Sequence, residues 1–307
     1  MRVVIALGGN ALLKRGETPD AEHLTQNIKQ AADAIAEIAR EHTVIVTHGN
    51  GPQIGLLSLQ NEAYTAVPPY PLDVLGAESD GMIGYLVERE LRSKLPNQEV
   101  ATLLTQVTVA PDDPAFATPT KPIGPVFDES TAQRLANERG WRIAPDGAGF
   151  RRVTPSPAPK SIVEIKSIRT LVDAGVLVIC LGGGGIPVRE NPELLGVEAV
   201  VDKDWSAALL ARMLSADVLL LLTDIDGVYL NWGGAAPSRL KKSTPQQLAE
   251  IQFDPGSMGP KVAAACDFVK NTNGAAAIGS LSDARRVLAG DAGTFITHVA
   301  PRSPIKI

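Results

Sequence analysis

Three clusters of glycine follow directly after short apolar runs, a position in which glycine can bring backbone amides close to an anion. The clusters are Gly8-Gly9-Asn10, Gly49-Asn50-Gly51 and Gly182 to Gly185. A residue without a Cβ lets a phosphate approach the main chain, and a following helix adds free amides and a favourable dipole. One such cluster is ordinary turn chemistry, but three of them predict an anion-binding site.

Three lysines stand where positive charge could meet that anion. Lys203 lies between two aspartates at the predicted start of a helix, and Lys261 follows the sequence Gly-Ser-Met-Gly-Pro at the start of another. The helix dipole disfavours a lysine at a helix start, which suggests a functional reason for Lys261. Lys121 precedes a proline that stiffens its loop. From the residues alone, a solvated surface position is the favoured interpretation for Lys203 and the default for Lys121.

The order of predicted elements indicates an α/β fold with a mostly parallel sheet that helices cover on both faces. Short β-branched or apolar runs alternate with amphipathic helical stretches. Ligands of such sheets bind at the carboxyl ends of the strands, so the glycine clusters should meet at one edge. The predicted strands are Arg2–Leu7, Thr43–Thr47, Val100–Val109, Val176–Leu181, Val218–Thr223 and Ala275–Ile278.

The alternation stops between Pro111 and Lys160, a stretch that holds nine of the chain's 23 prolines. A helix from Asp128 to Arg139 and a hairpin from Trp141 to Val153 are predicted inside it. Because a long structureless loop is uncommon in a compact domain, this pattern favours a small inserted subdomain. An ordinary surface loop with local structure is the alternative.

The composition is typical of a globular protein and argues against several functional classes. The 307 residues are 44% hydrophobic and 21% charged, with a net charge of -5, so no overall field favours nucleic acid or an anionic membrane. No apolar run is long enough to span a bilayer, and the first seven residues do not read as a signal peptide. Only Cys180 and Cys266 are present, both in apolar stretches, which favours a reducing, cytoplasmic compartment.

Familiar cofactor signatures do not match. The chain has no P-loop sequence, and Gly49, Gly51 and Gly55 miss the dinucleotide-binding spacing by one residue. A nicotinamide-dependent dehydrogenase is therefore a weak alternative. No zinc-binding motif occurs, and the four histidines are scattered. His48 lies in a glycine cluster, where a ligand contact and a structural role are equally compatible with the sequence.

Seven short motifs occur in order along nearly the whole chain. They are VVIALGGN (Val3–Asn10), THGNGPQIG (Thr47–Gly55), KPIGPV (Lys121–Val126), GGGGIPV (Gly182–Val188), EAVVDKD (Glu198–Asp204), TDIDGVY (Thr223–Tyr229) and GSMGPK (Gly256–Lys261). Together they resemble the motifs of carbamate kinases within the amino acid kinase family. The Lys-Pro-Ile-Gly-Pro sequence favours carbamate kinases over acetylglutamate, uridylate or aspartate kinases.

The resemblance implies a three-layer α/β/α sandwich and a homodimer. It implies that residues 1–196 bind carbamate or carbamoyl phosphate and that residues 197–307 bind the nucleotide. The insert, at about 111–160, would be a protruding subdomain that leans over the site. The segment Thr297–Ile307 extends beyond the resemblance and receives no role.

The resemblance also implies roles for individual residues. Lys203 would contact the transferred phosphoryl group, Lys261 the nucleotide phosphates and Lys121 the carbamate or its phosphate, while Asp204 would hold the catalytic lysines. Carbamate and the γ-phosphate would be bound by Gly8, Gly9, Asn10, Gly49, Asn50 and Gly51. The nucleotide would be bound by Asp224, Asp226, Val228, Tyr229, Met258, Gly259 and Lys261. Mg²⁺ is expected with ATP or ADP, held mainly by phosphate oxygens and water.

The expected reaction is the reversible conversion of ATP and carbamate into ADP and carbamoyl phosphate. The attacking carbamate oxygen is already anionic, so the reaction needs positive charge rather than a general base. One alternative is another acceptor: acetylglutamate, aspartate, glutamate or UMP. A longer acceptor would need an arginine clamp, for which Arg15 and Arg169 are candidates. The other alternative is a non-catalytic nucleotide- or anion-binding protein on the same scaffold.

Overall fold

A computed structural model describes residues 1–14, 16–190, 192–234, 236–254 and 256–298. Arg15 and residues 299–307 of the C-terminal segment lie outside the described residues. The helices within these ranges are α1 (Gly9–Leu12), α2 (Ala21–Ala39), α3 (Gly51–Ala63), α4 (Leu72–Lys94), α5 (Glu129–Arg139), α6 (Ile165–Asp173), α7 (Lys203–Met213), α8 (Pro245–Ala249), α9 (Met258–Asn271) and α10 (Ala284–Leu288).

The strands of the described residues form one large sheet and three smaller ones. They are β1 (Arg2–Leu7), β2 (Thr43–His48), β3 (Val100–Thr102), β4 (Gln106–Val109), β5 (Lys121–Phe127), β6 (Arg142–Asp146), β7 (Gly149–Thr154), β8 (Pro159–Ile162), β9 (Leu177–Ile179), β10 (Ile186–Glu190), β11 (Leu194–Gly196), β12 (Val218–Thr223), β13 (Val228–Leu230), β14 (Ser238–Leu240), β15 (Lys242–Ser243), β16 (Ala275–Ser280) and β17 (Thr294–Ile296).

The large sheet confirms the predicted three-layer architecture. Its eight strands run in the order β15-β17-β16-β12-β1-β2-β9-β3, and all neighbours are parallel except β16 and β17. Successive residues of a strand point to opposite faces. Val4 and Ala6 therefore pack in the core beneath α7 and α9, whereas Val3 and Ile5 pack in the second core beneath α2 and α4.

Local sequence accounts for where several helices begin. The carboxylate of Asp20 accepts from the amide of His23 at the start of α2, and Asp128 accepts from Thr131 at the start of α5. Such caps satisfy amides that have no partner within the helix. Gly140 ends α5 in the left-handed conformation, with φ of 68°. The predicted helix from Asp128 to Arg139 is thus confirmed within one residue.

The prediction of a single strand from Val100 to Val109 is wrong. Residues 100–102 form β3 at the edge of the large sheet, while residues 106–109 form β4 in the second sheet, whose order is β11-β10-β4-β8. Between them the Thr105 hydroxyl donates to the carbonyl of Leu103 at 2.9 Å, and Leu104 is exposed. This local bond turns the chain from one sheet to the other.

One predicted helix boundary is also corrected. The helix expected to begin at Lys261 begins three residues earlier, at Met258. Further along the chain, a 3₁₀ turn (Leu281–Asp283) directly precedes α10.

The stretch predicted as an insert contains its own sheet, β5-β7-β6, with α5 packed on it. The predicted hairpin is confirmed as β6 and β7, joined through Gly147 at φ of 63°. This sheet meets α3 where Gly55 crosses Gly124. A Cβ on Gly55 would lie 1.9 Å from the Cα of Gly124. The close approach therefore requires glycine at position 55.

We expect Gly55→Ala to lower the free energy of unfolding by about 1–3 kcal/mol, because the new methyl group meets backbone that cannot rotate away. Gly76→Ala in α4 is the matched control, since its Cβ would make only an ordinary contact at 3.9 Å with Ile54. Alanine is also the better helix former, so the control should be neutral or stabilising. Urea unfolding of both variants provides the measurement. Equal stabilities would contradict the close approach of α3 and β5.

Candidate active site

The first two glycine clusters lie side by side at the carboxyl edge of the large sheet. In the paired strands Leu7 is aligned with Leu222 of β12 and with His48 of β2. The amide of Gly8 donates to the carbonyl of Leu222 at 2.8 Å, and the amide of Gly49 donates to the carbonyl of Leu7 at 3.0 Å. The ends of three neighbouring parallel strands thus converge, as the alternation of elements predicted.

In the first cluster, Gly9 begins the one-turn helix α1 directly after β1. The side chain of Asn10 lies outside the described part of the chain. A Cβ on Gly49 would lie 3.1 Å from the amide nitrogen of Gly9 and 3.5 Å from Cε of Lys203. The structure therefore brings both glycine clusters and Lys203 together, far apart though they are in sequence.

A buried carboxylate joins two of the predicted lysines. Nζ of Lys203 lies 2.5 Å from Oδ1 of Asp204, and Nζ of Lys261 lies 2.9 Å from Oδ2 of the same residue. Asp204 is only 4% exposed. Lysine is a flexible point charge, so a shared rigid acceptor fixes two such charges relative to each other.

Burial and the electrostatic interactions among Lys203, Lys261 and Asp204 shift the pKa values of these three groups. Burial lowers the pKa of Lys203 to about 8, and the nearby Lys261 ammonium acts in the same direction, although Asp204 opposes both. Burial also favours the neutral form of Lys261, but Asp204 outweighs it and the pKa of Lys261 is raised. The two ammonium groups hold the pKa of the buried Asp204 carboxyl well below its usual range.

Lys121 reaches the same region from the insert. Its Nζ lies 2.5 Å from Oδ2 of Asp202, whose other oxygen caps α7 by accepting from the amides of Asp204 and Trp205. Burial would raise the pKa of Asp202, but Lys121 outweighs it and lowers that pKa. No role was predicted for Asp202 from the sequence. Its place immediately before the predicted helix was the available signal, because aspartate is a preferred cap.

The third glycine cluster packs behind the second one. Gly183, Gly184 and Gly185 all have positive φ, and a Cβ on Gly183 would lie 2.1 Å from the Asn50 side chain. The Asn50 amide donates to Ser79 of α4 at 2.8 Å. The close contact leaves no room for a side chain at Gly183. The hydrogen bond from Asn50 to Ser79 holds the second glycine loop against α4.

Beneath these loops lies a buried histidine–aspartate pair that was not predicted from the sequence. Nε2 of His48 is 3.4 Å from Oδ1 of Asp80, and both side chains are fully buried. A Cβ on Gly182 would lie 1.7 Å from the same oxygen. His48 thus faces the protein interior, which favours the structural alternative for this residue. No sequence signal linked Asp80, in the middle of a helix, to His48.

The residues predicted to bind the nucleotide follow β12 and begin α9. The carboxylate of Asp226 accepts from the Tyr229 hydroxyl and from Arg239, both at 2.8 Å, and the amide of Val228 donates to Thr294 at 2.8 Å. Asp224 accepts from the hydroxyl of Thr223, whose Cα lies near Gly8. This links the β12 end to the first glycine cluster.

At the start of α9, the amide of Gly259 donates to the carbonyl of Asp254 at 2.8 Å, and a Cβ on Gly259 would lie at the same distance from that oxygen. Met258 packs against the core. This tight turn places Lys261 in the first turn of α9, pointing toward Asp204. The arginine candidate Arg169 donates instead to the carbonyl of Met213 at 2.6 Å.

Within the described residues, no helix is long and apolar enough to cross a membrane. The same part of the chain contains no group of three or more His, Cys, Asp or Glu side chains arranged to hold a metal ion.

Comparisons with known proteins identify the family of the chain. A model of the amino acid kinase family matches residues 1–280, a range that contains every candidate site residue. The chain therefore belongs to the amino acid kinase family. A carbamate kinase from Haemophilus influenzae is 52% identical over 300 residues, with 97% of each chain covered.

Two solved structures of carbamate kinase from Giardia lamblia are similar over nearly the whole chain. The one bound to citric acid has a TM-score of 0.91 and the one bound to AMP-PNP a TM-score of 0.87; each is 41% identical and covers 96% of this chain and 98% of its own.

Proposed function

We propose that this protein is a carbamate kinase, which reversibly transfers a phosphoryl group between ATP and carbamate. The observation that carries the proposal is the buried Asp204 carboxylate, which holds the ammonium groups of Lys203 and Lys261 beside two glycine loops. Two anionic substrates must meet in this reaction, and such an array supplies fixed positive charge and free amides at the meeting point. The similarity to carbamate kinases over nearly the full chain specifies the acceptor.

The proposed transfer is direct and in line. In the direction of ATP synthesis, the terminal phosphate oxygen of ADP forms a bond to phosphorus as the bond to the carbamate oxygen breaks. Carbamate leaves as an anion, so no proton has to be delivered. Catalysis then depends on positioning and on stabilising charge at the equatorial oxygens. We assign that stabilisation to Lys203 and Lys261 and assign the capture of carbamoyl phosphate to Lys121.

We propose that the two parts of the chain divide the substrates at about residue 196. Residues 1–196 would bind carbamoyl phosphate through Gly8, Gly9, Asn10 and the loop Gly49–Gly51, with the protruding subdomain above them. Residues 197–307 would bind the nucleotide through Asp224, Asp226, Val228, Tyr229, Met258 and Gly259. The position of Gly8 beside the end of β12 supports a shared site at this boundary.

Mg²⁺ would enter as part of the nucleotide substrate. Mg²⁺ keeps several waters and binds phosphate oxygens readily, so few protein ligands are needed. The carboxylates of Asp202 and Asp204 are already paired with Lys121, Lys203 and Lys261, which fits a metal carried on the phosphates.

We further propose a cytoplasmic homodimer. Met82 and Tyr85 of α4 are exposed. Leu104, which follows β3, is also exposed and lies beside Gly81 of α4. Such an apolar surface patch is typical of a protein interface. Light scattering after size-exclusion chromatography should give the mass of a dimer, and a monomer at micromolar concentration would contradict this proposal.

The choice of acceptor can be tested by a substrate panel. MgATP is supplied with ammonium bicarbonate, acetylglutamate, aspartate, glutamate or UMP, and ADP formation is measured for each. We expect ADP formation only with ammonium bicarbonate, which supplies carbamate. A preference for any other acceptor would keep the family and overturn the proposed substrate, and binding of ATP without turnover of any acceptor would favour a binding protein.

The low pKa of Lys203 predicts a pH dependence for the reaction. The free enzyme needs the Lys203 ammonium to bind the phosphoryl group, and that ammonium loses its proton as the pH rises through about 8. We therefore expect kcat/KM for carbamoyl phosphate to fall about tenfold per pH unit above this value. Bound phosphoryl groups favour the charged form, so kcat should decline only at higher pH. A kcat/KM that stays constant to pH 10 would contradict a catalytic Lys203 ammonium with this lowered pKa.

A further inference from the structure

A cluster of charged and aromatic side chains connects the insert to the rest of the molecule. We define the Arg152 cluster as Arg152 with the five residues around it: Ser58, Glu62, Arg139, Trp141 and Glu198. The Arg152 guanidinium donates to the Ser58 hydroxyl at 2.8 Å and lies 3.5 Å from Glu62. It also lies 3.8 Å from Glu198 and 4.9 Å from the centre of the Trp141 ring.

These contacts come from three segments that are distant in sequence. Ser58 and Glu62 belong to α3, which begins directly after the second glycine loop. Trp141 and Arg152 belong to the insert. Glu198 lies shortly before the segment Asp202–Asp204. The Glu198 oxygen that does not face Arg152 accepts from the amide of Leu72, at the start of α4, at 2.8 Å. The side chain of Arg152 is only 17% exposed, and its planar guanidinium group has protein contacts on several sides.

Arg152 lies close in the sheet to Lys121. In the antiparallel pairing of β5 and β7, Arg152 is opposite Ile123, and Lys121 is opposite Thr154. Pro155 follows directly after Thr154, and its carbonyl accepts from the amide of Val200. Val200 lies two residues before Asp202, which is the ion-pair partner of Lys121. The cluster therefore fixes the strand from which Lys121 reaches the site, and also the segment that leads to Lys203.

The insert has other contacts on this side, because Ile123 of β5 packs with Ile54, Leu72, Leu75 and Val200, and Arg139 pairs with Glu62 at 2.5 Å. Its sheet touches α3 through the crossing of Gly55 and Gly124, and beyond the Arg152 cluster lies a cavity of about 1040 Å³. The loop around Tyr64 and Tyr70 forms the far wall of that cavity. A sheet that borders a cavity can tilt about its remaining contacts when one of its supports is lost.

We propose that Arg152 is a positioning residue for the phosphoryl transfer: it fixes the insert against α3 and Glu198 so that Lys121 is held over the carbamoyl phosphate. This inference rests on the function proposed above. Arg152 acts through Lys121 and contributes nothing to nucleotide binding. Small displacements of a charged group cost much in catalysis, about 10²-fold for 1 Å.

Steady-state kinetics of Arg152→Ala test the proposal. We expect kcat/KM for carbamoyl phosphate to fall about 10- to 100-fold, chiefly through a higher KM, while the Kd of ADP measured by calorimetry stays within about twofold. The matched control is Arg151→Ala, on the same strand, because Arg151 pairs at 3.0 Å with Asp146 inside the hairpin. The control should leave both quantities unchanged. An equal loss of ADP affinity in Arg152→Ala would overturn the positioning role.

A double-mutant cycle distinguishes action through Lys121 from general damage. In a Lys121→Ala background, Arg152→Ala should lower kcat/KM by no more than about twofold, because the group that it positions is already gone. Additive losses in the double variant would overturn the proposal. If Arg152→Ala does not fold, Arg152→Lys replaces it in the same cycle, since lysine keeps the charge but cannot make the forked contacts.

Hydrogen exchange separates this inference from the proposed function. Arg152→Ala, but not Arg151→Ala, should speed amide exchange in residues 121–154 while leaving the large sheet protected. Faster exchange in a protein that turns over no carbamoyl phosphate would retain the link between Arg152 and the insert but refute the function. Unchanged exchange and unchanged kinetics in an active enzyme would refute the role of Arg152 alone.

Discussion

Lys203→Ala is expected to reduce kcat for ATP formation by about 10²- to 10³-fold, the loss that follows removal of one preorganised charge contact, or about 2.7–4 kcal/mol. The Lys203 ammonium is fixed by Asp204 and lies near the Gly49 loop, where the phosphoryl group would sit. Its partner in the array, Lys261, remains to bind the nucleotide. The Kd of ADP should therefore change by less than about threefold.

The measurement pairs single-turnover ATP formation with calorimetric titration of ADP. Lys29→Ala on the exposed side of α2 is the control for general effects of removing a lysine. It should retain full turnover. If Lys203→Ala keeps near-normal turnover, Lys203 is not part of the catalytic machinery. If it loses ADP binding to the same degree as turnover, its contribution is to binding alone.

Asp204→Asn is expected to lower the free energy of unfolding by about 3–5 kcal/mol and to reduce turnover as strongly as Lys203→Ala. The substitution leaves two buried ammonium groups without a counter-charge, and breaking a buried ion pair in this way costs far more than breaking an exposed one. The two lysines would also repel each other, so their positions relative to the phosphates would no longer be fixed.

Urea unfolding and ATP formation measure these two effects. Asp267→Asn is the control, because its ion pair with Arg212 is long, at 3.5 Å, and partly exposed. Such pairs contribute at most about 1 kcal/mol. We also expect inorganic phosphate to restore part of the lost stability of Asp204→Asn, because a bound anion replaces the missing charge. An Asp204→Asn protein as stable and active as the original would refute the proposed array.

The sequence predicted those parts of the fold that depend on local patterns. The alternation of short apolar runs with helical stretches predicted the large sheet, and the helix predicted from Asp128 to Arg139 is α5 within one residue. The prediction of a single strand from Val100 to Val109 was wrong, because an apolar, β-branched composition does not reveal where the chain passes from one sheet to another. That change depends on a hydrogen bond from Thr105 and on the position of the second sheet.

The candidate site could be predicted only in part. Glycine clusters after strands and lysines at helix starts can be recognised in the sequence, and the topology of the parallel sheet brings them together. The buried pair of His48 and Asp80 was not visible, because its partners come from β2 and from the middle of α4. The same holds for Arg152, whose contacts come from three segments. Residue chemistry alone also left the acceptor open, and the resemblance to carbamate kinases favoured one of the alternatives.

The most direct test of the central claim is ATP formation by the purified protein from carbamoyl phosphate and MgADP, followed by coupled luminescence. We expect rapid, enzyme-dependent ATP production that is nearly abolished in Lys203→Ala. ATP at the spontaneous background level, from a folded protein that still binds ADP, would contradict the proposal that this enzyme is a carbamate kinase.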